Sequence, residues 1–135
     1  MKILVDTSVW SIALRRKAIN EEERAVAKKL QELIESLQVA IVGPIRQEIL
    51  SGIADEKQFR LLKNKLGAFE DLLITTADYE KAAYFYSVCR VNGIQGSHID
   101  FLICAVAANH KMPVFTLDKD FMRYAEYLPI TVYPM

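Results

Sequence analysis

The chain opens Met1-Lys2-Ile3-Leu4-Val5-Asp6-Thr7-Ser8, a short apolar run closed by a carboxylate. Consecutive apolar residues, rather than alternating ones, read as a strand buried on both faces, the form taken in parallel sheets. Such a strand has no place for a charge within it, so Asp6 belongs at its C-terminal tip. Asp118 stands in the same relation to Pro113-Val114-Phe115-Thr116. Val39-Ala40-Ile41-Val42, closed by Gly43-Pro44, and Leu72-Leu73-Ile74 read as further strands, and Ile130-Thr131-Val132 beside Pro129 as a last edge strand.

Helical spacing fills the gaps. Residues 21–37 place Val26, Leu30, Leu33, Ile34 and Leu37 on one face. Pro44 suits the first turn of a helix carrying Ile45 and Ile49, with Gly52 to end it. Further helices are expected over 56–66, 77–91, 97–109 and 120–127; in the third, Ile99, Leu102, Ile103 and Val106 share a stripe. Strands alternating with helices give an α/β fold, a parallel sheet covered on both faces. Right-handed crossovers put the C-terminal ends of all strands on one edge, where ligands bind in open sheets.

With 135 residues and 52% hydrophobic content, residues 1–135 are expected to form one domain with its own core. Seventeen basic and 17 acidic residues cancel, so there is no general basic coat, and any nucleic-acid contact must come from local patches. Cys89 and Cys104 lie in apolar helical patterns without metal-ligand spacing and read as buried thiols of a reducing compartment. The N-terminal apolar run is too short for a signal peptide, and no stretch approaches a membrane span. A cytoplasmic location follows as the expectation.

Four carboxylates fall where a sheet-edge site would form. Asp6 and Asp118 follow central strands; as single residues, both also suit helix N-caps. Glu48 lies on the flank of the Ile45–Ile49 stripe. Asp100 comes three residues after Ser97, a capping-box-like spacing, at the head of Phe101-Leu102-Ile103-Cys104-Ala105-Val106. Small Cys104 and Ala108, on the Asp100 face, let that helix approach the sheet and bring Asp100 toward Asp6. Like charges about 4 Å apart cost roughly 1 kcal/mol in water and about 4 at an effective dielectric of 20. Convergence therefore calls for protons or cations, and all-oxygen ligands suit Mg²⁺ or Mn²⁺. Such a site can polarise a phosphodiester.

Ile3-Leu4-Val5-Asp6-Thr7-Ser8, Pro44-Ile45-Arg46-Gln47-Glu48-Ile49-Leu50, Ile99-Asp100-Phe101-Leu102-Ile103-Cys104-Ala105 and Thr116-Leu117-Asp118-Lys119-Asp120-Phe121, in this order, resemble the PIN-domain nucleases. Within them they resemble the VapC-type toxins of toxin–antitoxin pairs, over essentially the whole chain. The resemblance implies a Rossmann-like sheet of about five parallel strands. It implies Mg²⁺- or Mn²⁺-dependent endonucleolytic cleavage of RNA, leaving 5′-phosphate and 3′-hydroxyl ends. Asp6, Glu48, Asp100 and Asp118 match the metal-site acids, Thr116 and Ser8 the supporting hydroxyls, and Asp120 a more variable acidic position of the outer shell or helix cap. A homodimer and a cognate VapB-type antitoxin are implied, the antitoxin's C-terminal segment covering the acidic groove. Transfer RNA is the family-level expectation for the substrate, with ribosomal and messenger RNA open, and the site takes one or two cations.

Arg15 and Arg16 lie close in sequence to Asp6 and are candidate RNA contacts. Lys28, Lys29, Arg60, Lys63 and Lys65 read as solvated helix faces, Trp10 as core, and His98 as a first-turn surface residue. Tyr79, Tyr84, Phe85 and Tyr86 divide between core and dimer interface. Haloacid-dehalogenase-type phosphatases need a second Asp two residues after the first, where this chain has Ser8. Response-regulator receivers need an acidic pair near the first strand, which supplies one acid here. A non-catalytic scaffold that binds RNA or a protein partner is the remaining alternative.

Overall fold

A computed structural model describes residues 1–14 and 20–134. The elements run β1 (Ile3–Val5), α1 (Thr7–Ala13), α2 (Glu21–Glu35), β2 (Val39–Ala40), α3 (Gly43–Ser51), α4 (Glu56–Leu66), α5 (Thr76–Val91), α6 (His98–His110), β3 (Val114–Phe115) and α7 (Asp120–Tyr124). Arg15 and Arg16 fall outside the described residues.

The sheet has the order β2-β1-β3, all parallel. Ile3 pairs with Val39, and Leu4 with Ala40 on one side and Val114 on the other. The apolar run Ile3-Leu4-Val5 is thus central and fully buried, as a strand covered on both faces must be. Strand order reverses about β1, which places the tips of β1 and β3 at the crevice where open sheets take ligands.

Neither Leu72-Leu73-Ile74 nor Ile130-Thr131-Val132 forms the strand expected of it; only single bridges mark the two margins. Asp71 bridges Ile41, and Val132 bridges Val114, each in parallel and each once. Leu72 donates its N–H to the Ile41 carbonyl at 2.8 Å, after which Leu73 turns out to solvent, 77% exposed. Thr75 then opens α5 with a capping box shared with Asp78. At the other edge, Val114 N–H reaches Thr131 O and Tyr133 N–H reaches Val114 O, both at 2.8 Å. Five parallel segments are therefore present, three as strands and two as single bridges at the margins.

The helices follow local chemistry. Asn20 caps α2 by accepting from Glu23 N–H, and three glutamates occupy its first turn, where the helix dipole favours negative charge. The helix stops at Glu35, short of the expected Leu37, because Leu37 takes a positive φ of 58°. The last helix likewise ends at Tyr124, three residues before the expected Tyr127. α6 is buried all round from Phe101 to Ala107, not along one stripe, since it packs on the sheet core and on α5. Ile99, expected on the apolar stripe, is 40% exposed.

Cys89 and Cys104 are buried free thiols, and burial pushes both acids up, so neither is activated for nucleophilic work. Trp10 is core and meets Phe69 edge-on at 5.4 Å. No described helix is long and apolar enough to cross a membrane.

Candidate active site

Asp6 occupies the N-cap position of α1, yet its side chain makes no capping bond. Its carboxylate turns instead toward β3. Ser8 Oγ and Thr116 Oγ1 both donate to Oδ2 at 2.8 Å. Each hydroxyl has one proton, so both are committed to Asp6. Their lone pairs accept in turn from Leu117 N–H at 2.9 Å and Asp118 N–H at 3.0 Å. The 3.3 Å approach of the two hydroxyl oxygens is therefore a close packing, with no proton left to share between them. Backbone N–H groups at the end of β3 are relayed through two hydroxyls onto one carboxylate oxygen. That arrangement fixes the orientation of the buried Asp6 carboxylate.

Asp118 lies in the turn between β3 and α7. Its Oδ1 accepts from Asp120 N–H at 2.9 Å, while the Asp120 carboxylate pairs with Arg123 at 3.6 Å. Asp120 thus serves the site through its backbone.

Asp100 sits in the first turn of α6. The capping pair expected from the sequence is half formed: Ser97 Oγ accepts from Asp100 N–H at 3.0 Å, but the Asp100 carboxylate is used elsewhere. Its Oδ2 accepts from Tyr124 Oη at 2.7 Å. Burial raises the Asp100 acid above its ordinary value, the Tyr124 and Ser97 hydroxyls oppose the rise, and the charges of Asp118 and Asp6 add to it.

Glu48, on α3, is exposed beside buried Ile45 and Ile49. Partial burial raises its acid first, and the Asp6 charge next, with a smaller push from Asp100. The Thr7 hydroxyl offsets part of this, although among the described residues Thr7 Oγ1 is buried with no partner in hydrogen-bond geometry. Arg46, two residues before Glu48, orients α3. Its guanidinium donates to Asp71 at 2.9 Å, Leu66 O at 2.8 Å and Phe69 O at 2.5 Å.

The four acids thus stand just beyond β1, on α3, on α6 and just beyond β3, and the Asp6 charge raises both Glu48 and Asp100, with Asp118 adding at Asp100.

The PIN domain family model matches residues 3–127. The chain belongs to the PIN-domain family. A VapC ribonuclease of Mycobacterium bovis and Ribonuclease VapC11 of Mycobacterium tuberculosis are each 32% identical to it over 121 residues, 88% of this chain and 88% of theirs. Among solved structures it is similar to FitAcB from Neisseria gonorrhoeae, with a TM-score of 0.77, 25% identity, and coverage of 98% of this chain and 96% of that one. VapBC2 from Rickettsia felis, bound to a DNA fragment from their promoter, gives a TM-score of 0.76 at 17% identity over 98% of both chains, a likeness of fold.

In this PIN domain the donor set consists of carboxylate and hydroxyl oxygens, the chemistry of a hard cation. Two of the four acids are raised by burial and by each other's neighbours, so a cation would relieve both. Thr7 Oγ1, an orphaned polar atom beside Glu48, points the same way. Among the described residues no three His, Cys, Asp or Glu side chains already close into a cage. The acids are coupled without being drawn together. A cavity of about 620 Å³ lies at the opposite end of the strands, lined by Met1, Lys2 and Met112 among others.

Tyr124, Thr7 and Arg46 were not singled out by sequence reasoning. For Tyr124 the signal was a polar-tipped aromatic one turn beyond Asp120. His98 is exposed and stacks on Tyr86 at 4.9 Å. Phe85 is core, while Tyr79 and Tyr84 are exposed.

Proposed function

We propose that this PIN domain is a Mg²⁺- or Mn²⁺-dependent endoribonuclease of the VapC type, held in check by a cognate VapB-type antitoxin. The observation that carries the reading is the set of acids held by hydrogen bonds around the strand tips, Asp6 by Ser8 and Thr116, Asp118 by the Asp120 N–H and Asp100 by Tyr124, with Glu48 on the neighbouring α3. The ribonuclease names of the relatives at 32% identity support it. The VapBC complexes among the structural neighbours support the antitoxin.

Asp6 and Asp100 would hold the cation, with Glu48 and Asp118 completing its surroundings through carboxylate or water. When bound, the cation neutralises the acids and polarises the phosphodiester. The chain's own work is positional. Ser8 and Thr116 hold the Asp6 carboxylate in orientation. Asp118 is held by the Asp120 N–H. Glu48, exposed on α3, would take the proton of the attacking water. The water oxygen bonds to phosphorus and the P–O3′ bond breaks. The leaving 3′ oxygen takes up a proton from solvent water, giving 5′-phosphate and 3′-hydroxyl ends.

Residues 1–135 act as one domain in this reading, as a homodimer and in the cytoplasm. Exposed Tyr79 and Tyr84 on α5 offer apolar surface for a second copy. Arg15 and Arg16 remain the proposed RNA contacts, with tRNA the first substrate to try.

Incubation of total cellular RNA with the purified protein tests the reading, with Mn²⁺, with EDTA, and with the Asp6→Asn variant. Discrete fragments that need both Mn²⁺ and Asp6 are expected. Intact RNA after incubation with folded, antitoxin-free protein and Mn²⁺ would favour the scaffold instead.

A further inference from the structure

Tyr124 is fully buried, yet its ring does work that a phenylalanine would do as well. It packs at 5.0 Å from Phe101 of α6 and edge-on at 5.3 Å from Phe121 of its own helix. Phe101 continues the row to Tyr86 at 5.4 Å and so to α5. Nothing in this apolar row needs a hydroxyl, and burying one without a partner costs about 1–3 kcal/mol. The hydroxyl is spent on Asp100 Oδ2, at 2.7 Å.

Three of the four acids have a donor in hydrogen-bond geometry on the carboxylate. Asp6 has Ser8 and Thr116, and Asp118 has the Asp120 N–H. For Asp100 the donor is Tyr124, since Ser97 bonds its backbone instead. Tyr124 also spans two elements of the site. It belongs to α7, which begins just after Asp118, and reaches the first turn of α6, where Asp100 stands. The hydroxyl therefore holds the helix-borne acid in register with the acid beyond β3.

Gly96 makes room for this contact. A Cβ there would overlap Tyr124 Oη and lie 2.9 Å from Phe101 Cζ, closer than real Cβ atoms approach. The close approach is used by the hydroxyl end of the ring, not only by its packing face.

We propose that Tyr124 is a positioning residue of the cation site, its hydroxyl orienting the Asp100 carboxylate in the space that Gly96 leaves open. It acts through Asp100 and contacts neither cation nor RNA. The inference rests on the reading of the four acids as a cation site.

The test is direct Mn²⁺ binding, followed by the electron paramagnetic resonance signal of free Mn²⁺, on wild type, Tyr124→Phe and Gly96→Ala, with thermal unfolding of each. Loss of an outer partner of a metal ligand costs about 10–100-fold in affinity. Tyr124→Phe, which keeps the ring, is expected to weaken Mn²⁺ binding about tenfold while remaining folded. Gly96→Ala displaces the hydroxyl without deleting it and should weaken binding in the same direction. Made in the Tyr124→Phe background, it should add little to that loss. Wild-type Mn²⁺ affinity in Tyr124→Phe would overturn the proposal and leave the nuclease reading untouched. Should Tyr124→Phe fail to fold, undiminished binding by folded Gly96→Ala would overturn it equally. A wild-type protein that binds Mn²⁺ but cuts no RNA would end the nuclease reading while the comparison of affinities still decides the role of Tyr124. Absence of Mn²⁺ binding by wild type would end both.

Discussion

The acids at the strand ends and the acids on the helices are held in opposite ways. Asp6 receives two hydroxyl protons and Asp118 a backbone N–H, each from residues around the end of β3. Glu48 and Asp100 are raised above their ordinary values, by burial first and then by neighbouring carboxylates. The strand side meets its charge with the chain's own polar groups. The helix side carries charge that the chain leaves incompletely balanced, with Tyr124 the main local relief for Asp100. A cation would anchor on the first side and relieve the second.

The largest expected effect falls on the strand side. Asp6→Asn should lower RNA cleavage by more than about a hundredfold, beyond the range for an outer partner, with circular dichroism unchanged. Unfolding of that variant would make Asp6 structural and break the comparison. Thr116→Val and Ser8→Ala each remove one of the two hydroxyl donors to Oδ2. Each should weaken Mn²⁺ binding about tenfold and cost about 1–3 kcal/mol of stability for the stranded N–H of Asp118 or Leu117. A fall in melting temperature with Mn²⁺ affinity preserved would reduce these hydroxyls to packing.

The helix side predicts a pH dependence. In the folded chain Glu48 and Asp100 titrate above their ordinary 4.5 and 3.8. The folded state therefore binds more protons than the unfolded one between each ordinary value and its raised value. Metal-free stability should fall as pH rises through that window, and Mn²⁺ should restore it at pH 7. Asp78 works the other way. Burial opposes its ionisation, but bonds from Asn109 and Thr75 outweigh burial and lower its acid. Its contribution is lost as pH falls from 3.8 through that lowered value. Urea midpoints between pH 4 and 7, with and without Mn²⁺, separate the two; a metal-free midpoint that rises steadily across that range would contradict the assignment.

The smallest effect expected is a gain. Asp100→Asn removes an acid that the metal-free fold disfavours, so the melting temperature without metal should rise by about 3 °C, while Mn²⁺ affinity falls. A lower melting temperature would mean that the Asp100–Tyr124 bond outweighs the repulsion.

Much of this was legible in the chain. Ile3-Leu4-Val5-Asp6 announces a buried parallel strand tipped by an acid because a continuous apolar run tolerates a charge only at its end. Asp6 and Asp100 each allowed a capping reading. The Asp6 side chain makes no cap, and at Asp100 the backbone takes the cap while the carboxylate is free for Tyr124. Sequence spacing cannot divide one residue's backbone from its side chain in that way. Nor could it locate Tyr124, whose partner is 24 residues away. Leu72-Leu73-Ile74 reads as a strand by composition, but the one bridge lies before it, at Asp71, and Leu73 turns to solvent as the chain enters the Thr75 cap. Local propensity has no term for where a sheet ends.

The central claim is that one cation site joins the strand-tip and helix acids. A crystal structure grown with Mn²⁺, read by its anomalous signal, tests it most directly. The account predicts an anomalous peak with Asp6 and Asp100 oxygens within about 2.0–2.6 Å, the span of hard-cation ligands, and with Glu48 and Asp118 closing around it directly or through water. Mn²⁺ bound elsewhere, with the four acids left apart, would contradict it.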